Sequence, residues 1–133
     1  MTYVYGWLAS AFAFLVLDSI WLSQMAQRFY RPAIGEMLAD RPNFAAAAVF
    51  YLLYVTGILV LAVLPAVEKG TLAKAALLGA FVGLFAYGTY DLTNHATMKD
   101  WPVRLTLVDM AWGTVLTSLA ACAGYLAMRY ASH

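Results

Sequence analysis

Four long apolar stretches, separated by short segments rich in proline and charge, constrain this chain more than any other feature. Each stretch is long enough to cross a bilayer as a helix, which takes about 20 mainly apolar residues. They run from about 3 to 24, 44 to 67, 72 to 96 and 103 to 129 of the 133 residues. The breaks are equally clear. Gln27 to Asn43 carries Arg28, Arg31, Glu36, Asp40 and Arg41 with Pro32 and Pro42; Glu68-Lys69-Gly70 makes a tight turn, and Lys99-Asp100-Trp101-Pro102 interrupts the chain again. Pro102 suits the first turn of a helix, where a missing N–H costs little. The piece Ile34 to Ala39 is expected to form a short interfacial helix.

The apolar runs are continuous rather than alternating, so helices are expected and not barrel strands. Charged residues are only 11% of the chain, against about 25% in soluble domains. The expected fold class is therefore all-α: a polytopic membrane protein, one four-transmembrane-helix bundle spanning 1–133 with almost no soluble part. The net charge of +1 provides no basic field for nucleic acid. The single cysteine, Cys122, lies in an apolar run and reads as a small packing residue. No lysine or arginine precedes Arg28, and Asp18 interrupts the first apolar stretch. That pattern is unlike a cleaved leader, so the first segment is expected to stay in the mature protein.

Four spans put both termini on one side of the membrane. The first and third loops, with Arg28, Arg31, Arg41, Lys99 and Arg104, face the other side. The positive-inside rule places those loops in the cytoplasm by a small margin. Tyr3, Tyr5, Trp7, Trp101 and Tyr130 sit where aromatic belts at the two interfaces are expected.

Three carboxylates fall inside the spans: Asp18, Asp91 and Asp109. A charge at the centre of a membrane helix costs about 2.5–3.5 kcal/mol on insertion scales. Asp18 and Asp91 lie near the ends of spans one and three, and Asp109 near the start of span four. Because alternate spans run in opposite directions, all three approach the face bearing loops one and three. They are expected to converge in one polar site, in which grouped acids repel and at least one holds a proton. Asp18 and Trp21, three apart, share a helix face, as do Asp109 and Trp112. Reciprocal contacts, Trp21 to Asp109 and Trp112 to Asp18, follow from the antiparallel direction. Tyr90 and Asn94 are expected to line the site. Asp91 and His95, four apart, are placed as one corner of a metal site or as a proton-handling pair; satisfaction of backbone groups at the helix end is the plainer alternative. No metal-binding cysteine or Cys/His spacing accompanies them, and neither a metal nor a cofactor is expected.

Gly79 and Gly83 form a G-x-x-x-G that allows close helix approach, and Gly113 opens a similar narrow face on span four. Span three is therefore expected to be central and the most buried. Packing within the chain is the favoured use of these faces, with a homo-oligomer as the alternative.

The run Tyr90-Asp91-Leu92-Thr93-Asn94, then Ala96-Thr97, Trp101-Pro102 and Leu107-Val108-Asp109-Met110-Ala111-Trp112-Gly113-Thr114, resembles the DUF2177 family of bacterial membrane proteins of unknown function. So do Leu17-Asp18-Ser19-Ile20-Trp21-Leu22, Ala39-Asp40-Arg41-Pro42-Asn43 and Phe50-Tyr51-Leu52-Leu53-Tyr54. The resemblance implies a four-helix protein of the bacterial inner membrane. It also hints at a role beside membrane-lipid modification. The family pattern often has a bulky apolar or aromatic residue where this chain has His95, which argues against a metal or catalytic role for that side chain.

Three functions compete at this point. One is a non-enzymatic accessory to lipid modification or the envelope stress response, in contact with membrane lipid. The second is a small proton-coupled transporter or channel-like carrier using Asp18, Asp91 and Asp109. The third is a lipid-modifying enzyme, and it lacks HExxH, a histidine cluster, G-x-S-x-G and a nucleophilic cysteine.

Overall fold

The computed structural model describes residues 2–35 and 43–132. Four helices in it are long and apolar enough to cross a membrane: α1 (Thr2–Ile34), α2 (Phe44–Lys69), α3 (Leu72–Thr97) and α4 (Val103–Ala131). Local chemistry sets their ends. The Asn43 side chain accepts from the Ala46 N–H at 3.0 Å and caps α2. Gly70, at φ 73°, closes α2 in the left-handed conformation that glycine tolerates. Thr71 then caps α3 by accepting from Lys74 N–H. Pro102 stands one position before α4 rather than within its first turn.

The first helix does not stop near Gln24. It continues through a wider π turn, Ala26–Tyr30, into Arg31–Ile34. α2 has a matching π turn at Leu59–Val63. Each π turn ends two residues before a proline, Pro32 and Pro65. Proline has no N–H to give the carbonyl four residues earlier, and widening the turn is one way for a helix to absorb that loss without breaking. Ile34 thus ends α1, and the rest of the expected interfacial helix, apart from Gly35, lies outside the described residues. So do Glu36, Asp40, Arg41 and Pro42.

The bundle is built on α4. It packs against α1 on one side and α3 on the other, and 44% of its most apolar stretch is buried against 22% for that of α3. The expectation that α3 is the most buried helix is therefore corrected. Its glycine face is narrow and meets one neighbour, while its other faces carry exposed Leu77, Phe81, Phe85 and Leu92. Along that face the approach is backbone to backbone. A Cβ on Gly83 would lie 2.3 Å from the Gly113 carbonyl oxygen, and one on Gly79 would lie 2.9 Å from the backbone of Ser118.

Near the termini, α1 and α4 are equally close: a Cβ on Gly124 would meet Ser10 Oγ at 2.2 Å. The Ser10 hydroxyl donates to the Ala120 carbonyl at 2.9 Å, and Ser118 donates to the Ala76 carbonyl at 2.8 Å. The core of this half holds Phe14, Tyr54, Ile58, Ala62, Val63, Leu116, Ala120 and Ala121. Arg129 closes the end by donating to the Gly70 carbonyl and the Tyr125 hydroxyl.

Candidate functional site

At the opposite end, toward loops one and three, the bundle becomes polar inside. Asp91 on α3 is completely buried and Asp109 on α4 is 8% exposed. Asp18 on α1 is partly buried and close enough to Asp109 for the two charges to interact. The Asp91 carboxyl is turned to that of Asp109. Asp109 therefore stands between the other two acids, on the helix that both α1 and α3 contact.

Each acid has a different set of partners. Asp18 Oδ1 accepts from the Trp112 indole N–H at 3.2 Å. Asp109 Oδ1 accepts a 2.6 Å hydrogen bond from the Tyr30 hydroxyl, and Tyr30 in turn accepts from the Trp21 indole at 3.0 Å. Trp21 thus reaches Asp109 through Tyr30 and not directly. The two indoles lie flat on each other, with ring centroids 4.4 Å apart and planes 7° from parallel. One N–H donates to Asp18 and the other to the Tyr30 hydroxyl that holds Asp109, so one stacked pair serves both helices.

Tyr30 lies beyond the apolar window of the first span, so hydropathy alone does not place it in the site. Only the continuation of α1 through the π turn carries its hydroxyl to Asp109. The signal available in the sequence was Pro32, which marks where a helix either stops or widens.

Asp91 differs from the other two. Both of its oxygens are buried without a hydrogen-bond partner among the described residues. Among the described residues, no lysine, arginine or histidine is found acting on Asp18 or Asp91. A bare carboxylate in such a place is costly to bury. Two facing carboxylates repel, but with one proton between them they become a donor and an acceptor.

His95 does not join Asp91. Its Nδ1 lies 3.1 Å from the Thr106 hydroxyl, which also accepts from the Trp101 indole at 3.0 Å. This outer group stitches the third loop to the start of α4. Phe29, Ile34, Trp101 and Leu105 pack as an apolar layer beside it, one turn outward of Asp109. Tyr90 is 56% exposed and packs edge-on against Trp101. Asn94 is half-buried, and no side-chain hydrogen bond ties it to the acids. Among the described residues, no three His, Cys, Asp or Glu side chains are grouped to hold a metal ion. Cys122 is a free, half-buried thiol beside the Ala66–Ala75–Tyr125 cluster at the other end.

Tyr87 completes the site from α3. Its ring rests on Gly113, where a Cβ would come within 2.1 Å of the ring, and it neighbours Asp18, Tyr54 and Asp109.

The family described as "Predicted membrane protein (DUF2177)" matches residues 3–126. The chain belongs to this family. No curated protein and no solved structure matches it. The matched span takes in α1 to α4 almost completely, including all three acids, both stacked tryptophans and Tyr30. DUF2177 membership identifies a membrane protein and assigns it no activity.

Proposed function

We propose that this DUF2177 protein is a small proton-coupled membrane carrier whose working group is the Asp91–Asp109 carboxyl pair. The observation that carries this reading is Asp91 itself, fully buried, turned to Asp109 and without a donor for either oxygen among the described residues. A carboxyl kept only to bolt helices together would be given donors, as Asp18 and Asp109 are. In this reading the pair holds one proton, and Tyr30 and Trp21 fix the Asp109 carboxyl from the side away from Asp91. Asp18, held by Trp112, supplies a second charge that favours occupancy by a proton or another cation. The arrangement offers no nucleophile and no paired acid and base open to a substrate, so catalysis is not part of the proposal.

The test is difference infrared spectroscopy on the purified protein in lipid at neutral pH. The expected result is a carboxylic C=O absorption that Asp91→Asn removes while the helical spectrum stays unchanged. Absence of such a band, or its persistence in the variant, overturns the reading.

A second reading rests on Asp18 and Asp109, whose protein donors tie α1 to α4. There the acids are structural, and the protein is a non-enzymatic accessory to membrane-lipid modification or to envelope stress in a bacterial inner membrane. An Asp91→Asn strain that behaves as wild type in growth and lipid composition would favour it.

A further inference from the structure

The first half of α2 stands away from the bundle. Asn43 to Phe50 are all exposed, whereas Ile58, Ala62, Val63 and Ala66 are completely buried. The three helices that carry the acids therefore lack a fourth wall at that level. The gap beside α3 is a cleft of about 330 Å³ lined by Phe50, Ala86, Tyr87 and Tyr90. It is apolar and lies within the membrane-spanning stretch of both helices. Neither acid lines the cleft itself; its inner residues, Tyr87 and Tyr90, lead toward the carboxyl pair. Tyr87 is one turn from Asp91 on the same helix face, and Tyr90 neighbours both Asp91 and Asp109.

We propose that this cleft receives, from the lipid phase, a single-chain amphiphile bearing a protonated primary amine, and that its ammonium group replaces the proton held between Asp91 and Asp109. The inference rests on the carrier reading and names its substrate class. Size sets the apolar part, because this volume is at the low end for small-molecule sites, about 300–1,000 Å³. It suits one chain and not a two-chain lipid. Charge sets the head group: among the described residues no lysine, arginine or histidine is found acting on Asp18 or Asp91, so a cation entering beside them meets acids and no competing charge. Donor count narrows it further. Both Asp91 oxygens lack a donor, and a primary ammonium brings three. A quaternary ammonium brings charge without donors, and an alcohol brings a donor without charge.

The exchange balances. The O–H bond of the pair breaks and its proton leaves to water, while the ammonium keeps all three N–H bonds and takes its place between two carboxylates. One positive charge replaces another, so the site's net charge is unchanged and each amine bound releases one proton.

The experiment uses the full chain in phosphatidylcholine nanodiscs, titrated with dodecylamine, dodecanol or dodecyltrimethylammonium. Calorimetry in two buffers of different ionisation enthalpy counts the protons released, and empty nanodiscs report simple partitioning. The expected result is saturable binding of the amine alone, with about one proton released, weakened roughly tenfold or more by Asp91→Asn and by Phe50→Trp, which fills the cleft. Equal uptake by both variants, or by empty discs, overturns the proposal. Binding of dodecanol as tight as that of the amine, lost in Phe50→Trp, makes the cleft a plain acyl-chain site and overturns it too. Efficient disulfide formation between copies of a Phe50→Cys variant would assign the cleft to a second copy of the chain and likewise overturn it. The infrared band separates the two layers. A band present with no amine binding sinks this inference and leaves the carrier reading standing, whereas a missing band sinks the carrier reading first.

Discussion

The two ends of the bundle solve the membrane problem in different ways. Toward the termini, helices approach closely at Gly6, Gly79 and Gly124, and neutral hydroxyls donate to carbonyls across the seams, as Ser10 and Ser118 do. Among the described residues no buried side-chain nitrogen or oxygen there is left without a partner, and α2 joins the core. Toward loops one and three, the interior holds three carboxylates, α2 stands off, and one acid has no donor. Close packing needs no charge, because dispersion and a few hydrogen bonds suffice in lipid. Charges that costly persist where something other than packing keeps them. The first end is a scaffold, and in the carrier reading the second is the part free to exchange a ligand.

The scaffold is where the largest effect is expected. Gly83→Leu would drive a side chain into the Gly113 backbone, and backbone cannot swing aside as a flexible side chain can. We expect a loss of about 3 kcal/mol, at the top of the usual overpacking range. Reversible unfolding in mixed detergent would measure it. Gly57→Leu is the control, since a Cβ there meets nothing within 4 Å. Its effect is expected to stay within about 0.5 kcal/mol. Equal losses at Gly83 and Gly57 would break the distinction between seam and lipid face.

Tyr30→Phe probes the polar end. It removes the hydroxyl that donates to Asp109 and accepts from Trp21. Hydrogen bonds to charged groups contribute about 1.5–3 kcal/mol, and a loss near the lower figure is expected because α1 remains held by Ser10 at the other end. The stacked indoles offer a second readout. Their close parallel geometry should give an exciton couplet in far-ultraviolet circular dichroism, superposed on the helical signal, and Tyr30→Phe should weaken it by freeing Trp21. An unchanged couplet would mean that the stack holds itself in place without the tyrosine.

How much of this could be read from the sequence differs between the two ends, for a physical reason. Span number and helix type follow from hydropathy, which depends on composition along one segment at a time. The acids were legible as candidates because a charge in an apolar window is conspicuous. Partner choice was less legible. Trp112 meets Asp18 at the depth that antiparallel spans dictate, but Trp21 reaches Asp109 only through Tyr30, whose position depends on a π turn that apolar windows do not register. His95 shares a helix face with Asp91 by spacing, yet its ring turns outward to Thr106, because Trp101 and the third loop offer it a partner there. The rank of α3 was misjudged for a similar reason. A glycine face shows that one neighbour comes close, and says nothing of how many neighbours there are.

The smallest expected effect separates the two ends most sharply, because its sign is opposite to the others. Asp91→Asn keeps the shape of the side chain and replaces one oxygen with an NH₂ that can donate. Facing Asp109, that amide supplies without a bound proton the hydrogen bond that the two carboxyls make only while they share one. If Asp91 is retained for ligand exchange, the wild-type pair must hold a proton at neutral pH to be hydrogen-bonded, at a cost to the protein's own stability, and the variant makes the bond without that cost. We expect Asp91→Asn to be more stable by about 1 kcal/mol, the usual size of gain when a site kept for function is made structurally comfortable, together with loss of the infrared band. If Asp91 instead bolts α3 to α4, the same change weakens a contact that the native bundle uses, and stability falls. Thermal unfolding of the two proteins in one lipid, at the same protein concentration and at neutral pH, reads the sign directly. Lower stability in the variant would make the polar end a second scaffold, and the contrast between the two halves of the molecule would collapse.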